Sequence, residues 1–513
     1  MIIADAATRA PGPRDRTPLL IGWVAVLFGS FAALAYHRAG LTLSHYDAKA
    51  HLVVARRVID SLTPGWRQIG AVWLPLPHLL NLLPVQVDAL YRTGASAVVL
   101  SVLSFGLVAY GCARLVLATT GSRAAAAAGA SVAVLNPDLL YLQATPMTEP
   151  LLLGLTVLAV ALLRDWVVEA TPRLGRATGL AFAAACLTRY EAWPVTALAV
   201  TIAVGARARS GDSLPRALRR VAGVALYPLV AVLLFFVQSR LTVGHWFVTG
   251  GFYVVDNLDM GRPFKTVGSI WWACHQLNGY GVLLCAVAGA VATLVTGLAS
   301  RAKGASLVAL ALLAAAALPW YAFFVGHPFR IRYMVPLVPA LAVWAGLGVG
   351  LVGRRFRWAV AVGLAALVII ETHPFDFHAP MVIEAQLDRV HSAERRVVTR
   401  YLAVHRQRGQ KVLASLASLS HYVQELSEIG LAIRDVVHEG NGELWAAALE
   451  QPDAFVTFVL VEEWAAGGDR LASRARANPA FLRSFTRVAE GGGVALYERT
   501  ARGGPEPAPS PAR

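Results

Sequence analysis

The chain has 513 residues, of which 56% are hydrophobic and 15% are charged, and its formal net charge is +15. This composition excludes an ordinary soluble protein and favours a polytopic α-helical membrane protein. The positive charge is not interpreted as a sign of a nucleic-acid partner. Most lysines and arginines lie in short loops between apolar runs, where they set membrane orientation. Four scattered cysteines without CxxC spacing predict neither a zinc site nor a disulfide framework.

Long apolar runs predict about eleven transmembrane helices, because roughly 18 or more apolar residues can cross a bilayer. Residues 1–17 are expected to form a cytoplasmic tail, and the first run shows no signal-peptide cleavage site, so it is expected to be retained. Residues 18–371 form the predicted multi-span domain. The predicted spans are 18–37, 93–118, 124–142, 149–165, 177–190, 192–206, 219–240, 277–299, 304–325, 331–352 and 357–371.

Loop charges predict the orientation of these spans. With the N-terminus in the cytoplasm, the loops on that side are strongly basic, as the positive-inside rule requires. The first loop (38–90), with its amphipathic helices, and everything after residue 372 then face the outside. Several basic residues on that outer side break the bias, and an anionic ligand would explain them. They are Lys49, Arg56, Arg57, Arg189, Arg262, Lys265, Arg330 and Arg332.

The composition changes after residue 372. Residues 380–408 predict one charged amphipathic helix, and short apolar runs follow at 411–416 and 454–461. A hairpin is predicted from 485–490 and 494–498, joined by three glycines. Residues 372–502 therefore predict a small extracytoplasmic α/β domain, and the proline-rich tail 503–513 is expected to be disordered.

Asp47 is the strongest candidate for chemistry. It follows the first span closely, and a helix from Tyr46 would place it on one face with His51. A carboxylate at a membrane surface can act as a general base, whereas the alternative is an interfacial helix with snorkelling basic residues. Farther along this loop, Trp73 and His78 lie in a rigid aromatic segment that fits either a sugar site or a plain interfacial anchor.

Other polar groups lie at the predicted outer ends of spans. Glu149 opens a span, where an acid serves either a functional site or the helix dipole. Arg189 and Glu191 either pair with each other or belong to the same site. Two guanidiniums and a histidine at 327–332 suit a phosphate or pyrophosphate, unless the arginines only snorkel. A possible divalent metal at Asp256 and Asp259 is a weak prediction, and no cofactor is assigned with certainty. The chain contains no P-loop and no HExxH or G-x-S-x-G motif.

Together these features resemble the GT-C superfamily of membrane glycosyltransferases, over about residues 40–375. The resemblance is to the protein O-mannosyltransferase and aminoarabinose transferase branches. It depends on an acid in the first external loop, an acid at the second external turn and an external C-terminal domain. The segments that carry it are Tyr46-Asp47, Asn136-Pro137, Pro146 to Glu149, Arg189 to Glu191 and Arg332 to Pro339. The first acid departs from the Asp-Glu of the mannosyltransferases, because Ala48 follows Asp47.

The resemblance implies inverting transfer from a polyprenyl-phosphate sugar to an extracytoplasmic acceptor, which is protein, lipid or cell-wall glycan. It implies Asp47 as general base and Glu149 as the second carboxylate. The implied phosphate-binding residues are Arg330, Arg332, Arg189 and His327. The implied substrate-binding residues are Tyr46, His51, Trp73, His78, Glu191 and Tyr333. The expected location is a multi-pass protein of the plasma membrane, in contact with its lipids. The alternatives are a transporter or flippase of a lipid-linked anion, or a scaffold.

Overall fold

The computed structural model describes residues 15–248, 258–465 and 468–500. Helices dominate, and nineteen α-helices of the described residues precede the first strand. The first seventeen extend to residue 386. They are α1 (Thr17–Arg38), α2 (Tyr46–Arg56), α3 (Leu76–Asn81), α4 (Asp88–Thr93), α5 (Ala95–Thr120), α6 (Arg123–Val134), α7 (Pro137–Leu142), α8 (Glu149–Glu169), α9 (Pro172–Cys186), α10 (Ala192–Arg209), α11 (Leu214–Val243), α12 (Pro263–Asn278), α13 (Tyr280–Ala299), α14 (Ala317–Phe324), α15 (Leu337–Leu351), α16 (Arg357–Thr372) and α17 (Pro380–Gln386).

A helix lies in each of the eleven apolar segments, but only some have the length and composition to cross a membrane. Among the described residues there are seven: Thr17–Arg38, Ala95–Thr120, Glu149–Glu169, Leu214–Val243, Tyr280–Ala299, Arg301–Phe324 and Ile331–Leu351. The helices of the remaining four segments are shorter or less apolar. A multi-pass membrane architecture is therefore confirmed, while the number of eleven crossings stays a prediction.

Contacts divide the chain into two compact units. Unit 1 comprises Met1–Ala48, Gly70–Asn81 and Thr93–Gln386, and unit 2 comprises Lys49–Ile69, Leu82–Arg92 and Leu387–Arg513. Both termini include residues outside the described ranges, among them residues 1–14 of the predicted tail 1–17 and all of the predicted tail 503–513. The predicted first loop contributes residues to both units.

In unit 1, close helix packing fixes the segments that carry the candidate site. Helix α5 packs against α1, α8 and α15, so the start of α8 and the turn before α15 are held by one partner. Small residues allow such approach between membrane helices. At Gly289 on α13, an added Cβ would lie 1.9 Å from the Trp344 carbonyl oxygen on α15. Any side chain at position 289 would therefore push α15 away from α13.

Unit 2 contains a five-stranded sheet of order β2-β1-β3-β5-β4. Strands β1, β2 and β3 are parallel, whereas β5 pairs antiparallel with β3 and β4. The predicted hairpin is confirmed as β4 and β5, and the apolar runs at 411–416 and 454–461 contain β1 and the start of β3. The strands are β1 (Val412–Leu413), β2 (Val436–Val437), β3 (Phe458–Glu462), β4 (Phe485–Gly491) and β5 (Val494–Arg499).

The single helix predicted over 380–408 is wrong, because the chain forms three short helices there. After α17 come α18 (Arg389–Glu394) and α19 (Arg396–His405), and the remaining helices are α20 (Leu416–Glu425), α21 (Glu443–Glu450), α22 (Pro452–Phe455) and α23 (Arg470–Ala477). Helix α17 belongs to unit 1, whereas α18 and α19 belong to unit 2. At the junction of α18 and α19, buried Arg395 pairs with Asp388 at 2.7 Å. The segment is therefore divided between the two units.

Residues of the first loop are integral to unit 2. The Asp60 carboxylate forms two ion pairs. Its Oδ1 atom lies 2.9 Å from Arg434 Nε, and its Oδ2 atom lies 2.9 Å from Arg56 Nε. Gln68 donates a hydrogen bond to the Gly440 carbonyl oxygen at 2.9 Å. Arg56, Asp60 and Gln68 are buried, and their polar contacts are stable because their charges and hydrogen-bond donors are satisfied. Thus the amphipathic segment after α2 is anchored by polar bonds as well as by its apolar face.

Candidate active site

Arg332 is the centre of a buried charge cluster in unit 1. Its side chain lies in the 3₁₀ turn Ile331–Met334, just before α15, and is almost fully buried. One terminal nitrogen, Nη2, is 2.7 Å from Asp47 Oδ2 at the start of α2. Its Nε atom is 3.6 Å from Glu149 Oε1 at the start of α8. The structure therefore brings together three predicted residues from distant parts of the sequence.

Arg189 is the second cation of this cluster. Its Nη1 atom lies 3.0 Å from Glu149 Oε1 and donates a hydrogen bond to Thr148 Oγ1 at 3.1 Å. Its Nη2 atom lies 2.7 Å from Glu191 Oε1. Arg189 and Glu191 thus pair with each other, as the simpler alternative required, and at the same time belong to the site.

Glu149 lies between the two guanidiniums with an exposure of 0%. Within the described residues, neither of its carboxylate oxygens makes a well-aligned hydrogen bond. The helix-capping alternative is therefore not supported by contacts to backbone N–H groups. A buried carboxylate is stable only where opposite charge compensates its lost hydration. Glu149 therefore acts here as the counter-ion of Arg189 and Arg332.

His45 and Glu384 complete the cluster, although neither was predicted as a site residue. The His45 Nδ1 atom accepts a hydrogen bond from the backbone N–H of Asp47 at 3.0 Å. Its Nε2 atom lies 3.7 Å from Glu384 Oε1 and 3.2 Å from Arg332 Nη1. Burial opposes ionisation of Glu384, but the His45 ring at 3.7 Å and the charge of Arg332 outweigh it and lower the pKa of this carboxyl. Glu384 is therefore ionised at neutral pH.

Arg330 differs from the two buried arginines. It is half-buried, and among the described residues no ion pair connects it with an acid. It immediately precedes the turn that carries Arg332, and its charge lowers the pKa of Glu384. Arg330 is therefore a cation at the edge of the site whose charge can serve an incoming anion.

The remaining predicted residues lie in separate contacts. Tyr46 stacks on His45 with ring centroids 4.7 Å apart, so it belongs to the cluster. His327 and Tyr333 meet edge to face at 5.4 Å. Trp73 and His78 stack on each other at 6.0 Å, and His51 is buried in unit 2.

An open cavity in unit 1 adjoins the 327–332 segment. Its volume is 610 Å³, and its lining includes Leu258, Lys265, Trp272 and Phe329. Phe329 directly precedes Arg330, so an apolar space and a cationic side chain are neighbours in this part of unit 1. A cavity of this size accommodates a drug-sized ligand or a segment of a lipid chain.

A metal site has no support in the described ranges. No group of three or more histidine, cysteine or acidic side chains there could hold a metal ion. Of the two acids predicted to bind a metal, Asp259 is buried, whereas Asp256 lies outside the described residues.

The structure is similar to two crystal structures of ArnT, an aminoarabinose transferase of the GT-C superfamily, from Cupriavidus metallidurans. One, with bound undecaprenyl phosphate, has a TM-score of 0.57 and 15% identity over 94% of this chain and 99% of that chain. The other, in the apo state, has a TM-score of 0.60 and 16% identity over 95% and 100%. No family model and no curated protein matches the sequence. The chain therefore has an ArnT-like fold, as the resemblance to the aminoarabinose transferase branch predicted.

Proposed function

We propose that this protein is a membrane glycosyltransferase that uses a polyprenyl-phosphate sugar. The observation that carries the proposal is the ion pair of Asp47 with Arg332, inside a GT-C-like fold and next to Arg330. It places a carboxylate base beside two cations suited to a phosphate. A relative of the same fold was solved with undecaprenyl phosphate, which supports a lipid phosphate as the ligand.

In the proposed reaction, Asp47 accepts the proton of an acceptor hydroxyl or amine. The acceptor oxygen or nitrogen then forms a bond with the anomeric carbon, on the face opposite the phosphate. The bond between that carbon and the phosphate oxygen breaks, so the configuration inverts. The polyprenyl phosphate leaves with one additional negative charge. Arg330 and Arg332 stabilise this growing charge.

Arg332 also links the donor site to the base. In the structure its Nη2 atom lies 2.7 Å from Oδ2 of the Asp47 carboxylate. A bound donor phosphate competes for the same guanidinium. The competition weakens the ion pair between Arg332 and Asp47 when Asp47 must accept a proton. Donor binding and activation of the base are thereby coupled.

The proposal includes the remaining predicted residues in supporting roles. Arg189 and His327 would assist phosphate binding, and Glu149 and Glu191 would set the charge of the arginines. The cavity beside Phe329 would receive part of the isoprenoid chain. Aromatic side chains stack well on sugar rings, which suits Tyr46, Trp73 and Tyr333. His51 and His78 are proposed as further substrate contacts.

The site is proposed to face the outside of the plasma membrane. The positive-inside bias of the loops supports this orientation. The donor lipid would then enter from the bilayer, and the acceptor would be an extracytoplasmic protein, lipid or cell-wall glycan. Unit 2, which contains the α/β sheet, would lie on the same side.

The test is transfer of radiolabelled sugar from a panel of polyprenyl-phosphate sugars, in membranes with and without the protein. Label that moves to an endogenous acceptor only in the presence of the protein supports the proposal and identifies the donor. Labelled lipid that crosses the bilayer, with no transfer from any donor, would instead favour a flippase.

Replacement of Arg330 by glutamine should weaken donor binding. A charge-assisted hydrogen bond contributes about 1.5–3 kcal/mol, so the donor KM should rise about 10- to 150-fold. The change should be smaller in kcat, because Arg332 remains to stabilise the leaving phosphate. Steady-state transfer kinetics at varied donor concentration measure both parameters.

The matched control is Arg38→Gln, since Arg38 is an exposed arginine at the end of α1. It removes the same charge from unit 1 without touching the site, so the donor KM should stay within about twofold. A donor KM that is equally unchanged in Arg330→Gln would contradict the phosphate-binding role.

A further inference from the structure

Glu384 lies 3.7 Å from the ring of His45, which lies directly before the start of α2. His45 occupies the N-cap position of this helix, and its Nδ1 atom accepts the backbone N–H of Asp47, the second helical residue. An N-cap side chain commonly satisfies an N–H group of the first turn, and serine, threonine, aspartate and asparagine are the usual residues there. A histidine cap carries an additional requirement, because its second nitrogen must also be satisfied.

The cap determines the tautomer of His45. A neutral imidazole has one accepting and one donating nitrogen. Since Nδ1 accepts the Asp47 N–H, the ring proton must lie on Nε2. The protonated Nε2 then cannot accept a hydrogen bond from Arg332 Nη1, although the two nitrogens are 3.2 Å apart. It needs an acceptor, and the carboxylate oxygen Glu384 Oε1, at 3.7 Å, can supply one.

Glu384 is well placed for this purpose. It lies on α17, its exposure is 9%, and its Oε1 atom is buried without a hydrogen bond to another described residue. Helix α17 is itself fixed, because the N–H of Met381 donates to buried Asp138 Oδ1 at 2.8 Å. Glu384 is thus rigidly held, with its charge directed to His45 and Arg332.

We infer that Glu384 is a positioning residue for Asp47, acting through the ring of His45. Given the proposed function, the pair fixes the first turn of α2 so that the Asp47 carboxylate meets both the acceptor and Arg332. Loss of Glu384 frees the His45 ring to turn toward other partners, and Asp47 then loses its orientation. Ligands of a reactive centre are commonly held by such supporting contacts, whose removal costs about 10- to 100-fold in activity.

The test is a double-mutant cycle with an asparagine cap. Glu384→Ala should lower kcat about 10- to 100-fold while the donor KM changes little. Asparagine at position 45 can accept the Asp47 N–H without help from a carboxylate. In the His45→Asn background, Glu384→Ala should therefore change kcat by about twofold or less. Glu169→Ala, at an exposed glutamate in unit 1, is the control.

A merely structural role for Glu384 would give a different result. Loss of α17 packing would lower kcat by the same factor in both backgrounds, and that outcome would overturn the inference. The pH dependence of kcat gives a second readout. The groups near Glu384 that carry or exchange charge are His45, Arg332, Arg330, Tyr46 and Tyr141. The acidic limb should shift in Glu384→Ala and stay unchanged in Glu169→Ala.

A measurement without turnover separates this inference from the proposed function. In ¹⁵N-histidine spectra, with His45 assigned by its absence in His45→Asn, the wild type should show the neutral Nε2–H tautomer. Glu384→Ala should shift the His45 resonances. An Nδ1–H tautomer in the wild type would overturn the inference even if sugar transfer is found. If the spectra are as expected but no donor supports sugar transfer, the contact between Glu384 and His45 is supported and the proposed glycosyltransferase function is rejected.

Discussion

Asp47→Asn should reduce sugar transfer about 1,000-fold, which is the usual scale for loss of a general base. The amide has nearly the same shape as the carboxylate, but it cannot accept the acceptor proton. Arg332 keeps its contact with Glu149, so the buried cluster should remain folded. Initial rates with the donor identified by the panel, measured in equal amounts of purified protein, give the comparison.

Asp47→Glu provides the matched control for this prediction. It keeps the charge but moves the carboxylate by one methylene group, so it should retain more activity than the amide. A similar loss in both variants would indicate that position matters as much as charge. Transfer by Asp47→Asn within about tenfold of the wild type would contradict the role as base. A flippase would also move lipid equally well with aspartate or asparagine at position 47.

Much of the helical fold could be predicted from hydrophobic runs alone. The span predicted at 18–37 is the helix Thr17–Arg38, and that at 331–352 is Ile331–Leu351. Burial in a bilayer requires such runs, so the pattern and the structure have the same cause. Strand β2 was not predicted, because two residues are too short to show an alternating pattern. Its pairing with β1, rather than its own sequence, determines its conformation.

The candidate site was predicted in part by a charge argument. Arg332 was selected because basic residues on the outer side suggested an anionic ligand, whereas the partners that the structure shows are the protein acids Asp47 and Glu149. The joint contact could not be predicted, since His45 and Arg332 are 287 residues apart in sequence. Only the packing of α5 against α1, α8 and α15 brings these segments together.

Glu384 shows why other site residues were missed. It lies in a stretch that was interpreted as one amphipathic helix with a solvated charged face. In the structure the stretch breaks after Gln386, and Glu384 is 9% exposed. His51 is the opposite case, because helical spacing does place it one turn after Asp47 on α2. Its buried position in unit 2 depends on contacts that spacing does not reveal.

Glu149→Gln should be the most damaging change for stability, because it removes the shared counter-ion of Arg189 and Arg332. Removal of one partner from a buried ion pair costs up to about 3–5 kcal/mol. Because Arg189 keeps Glu191 and Arg332 keeps Asp47, the free energy of unfolding should fall by no more than that amount. Activity should also be lost, since Arg332 is then drawn more strongly to Asp47. Denaturant unfolding in detergent and sugar-transfer rates measure the two effects.

The double variant Glu149→Gln/Arg189→Gln distinguishes this counter-ion role from helix capping. If Glu149 balances the arginines, removal of one cation should restore part of the lost stability, whereas transfer should stay low because Arg332 remains without its second acid. If Glu149 only serves the dipole of α8, the single variant should cost about 1 kcal/mol or less, and the second substitution should restore nothing. Glu169→Gln, near the exposed end of the same helix, should leave both measurements unchanged. A stable and active Glu149→Gln would therefore reject the counter-ion assignment while leaving Asp47 as the base.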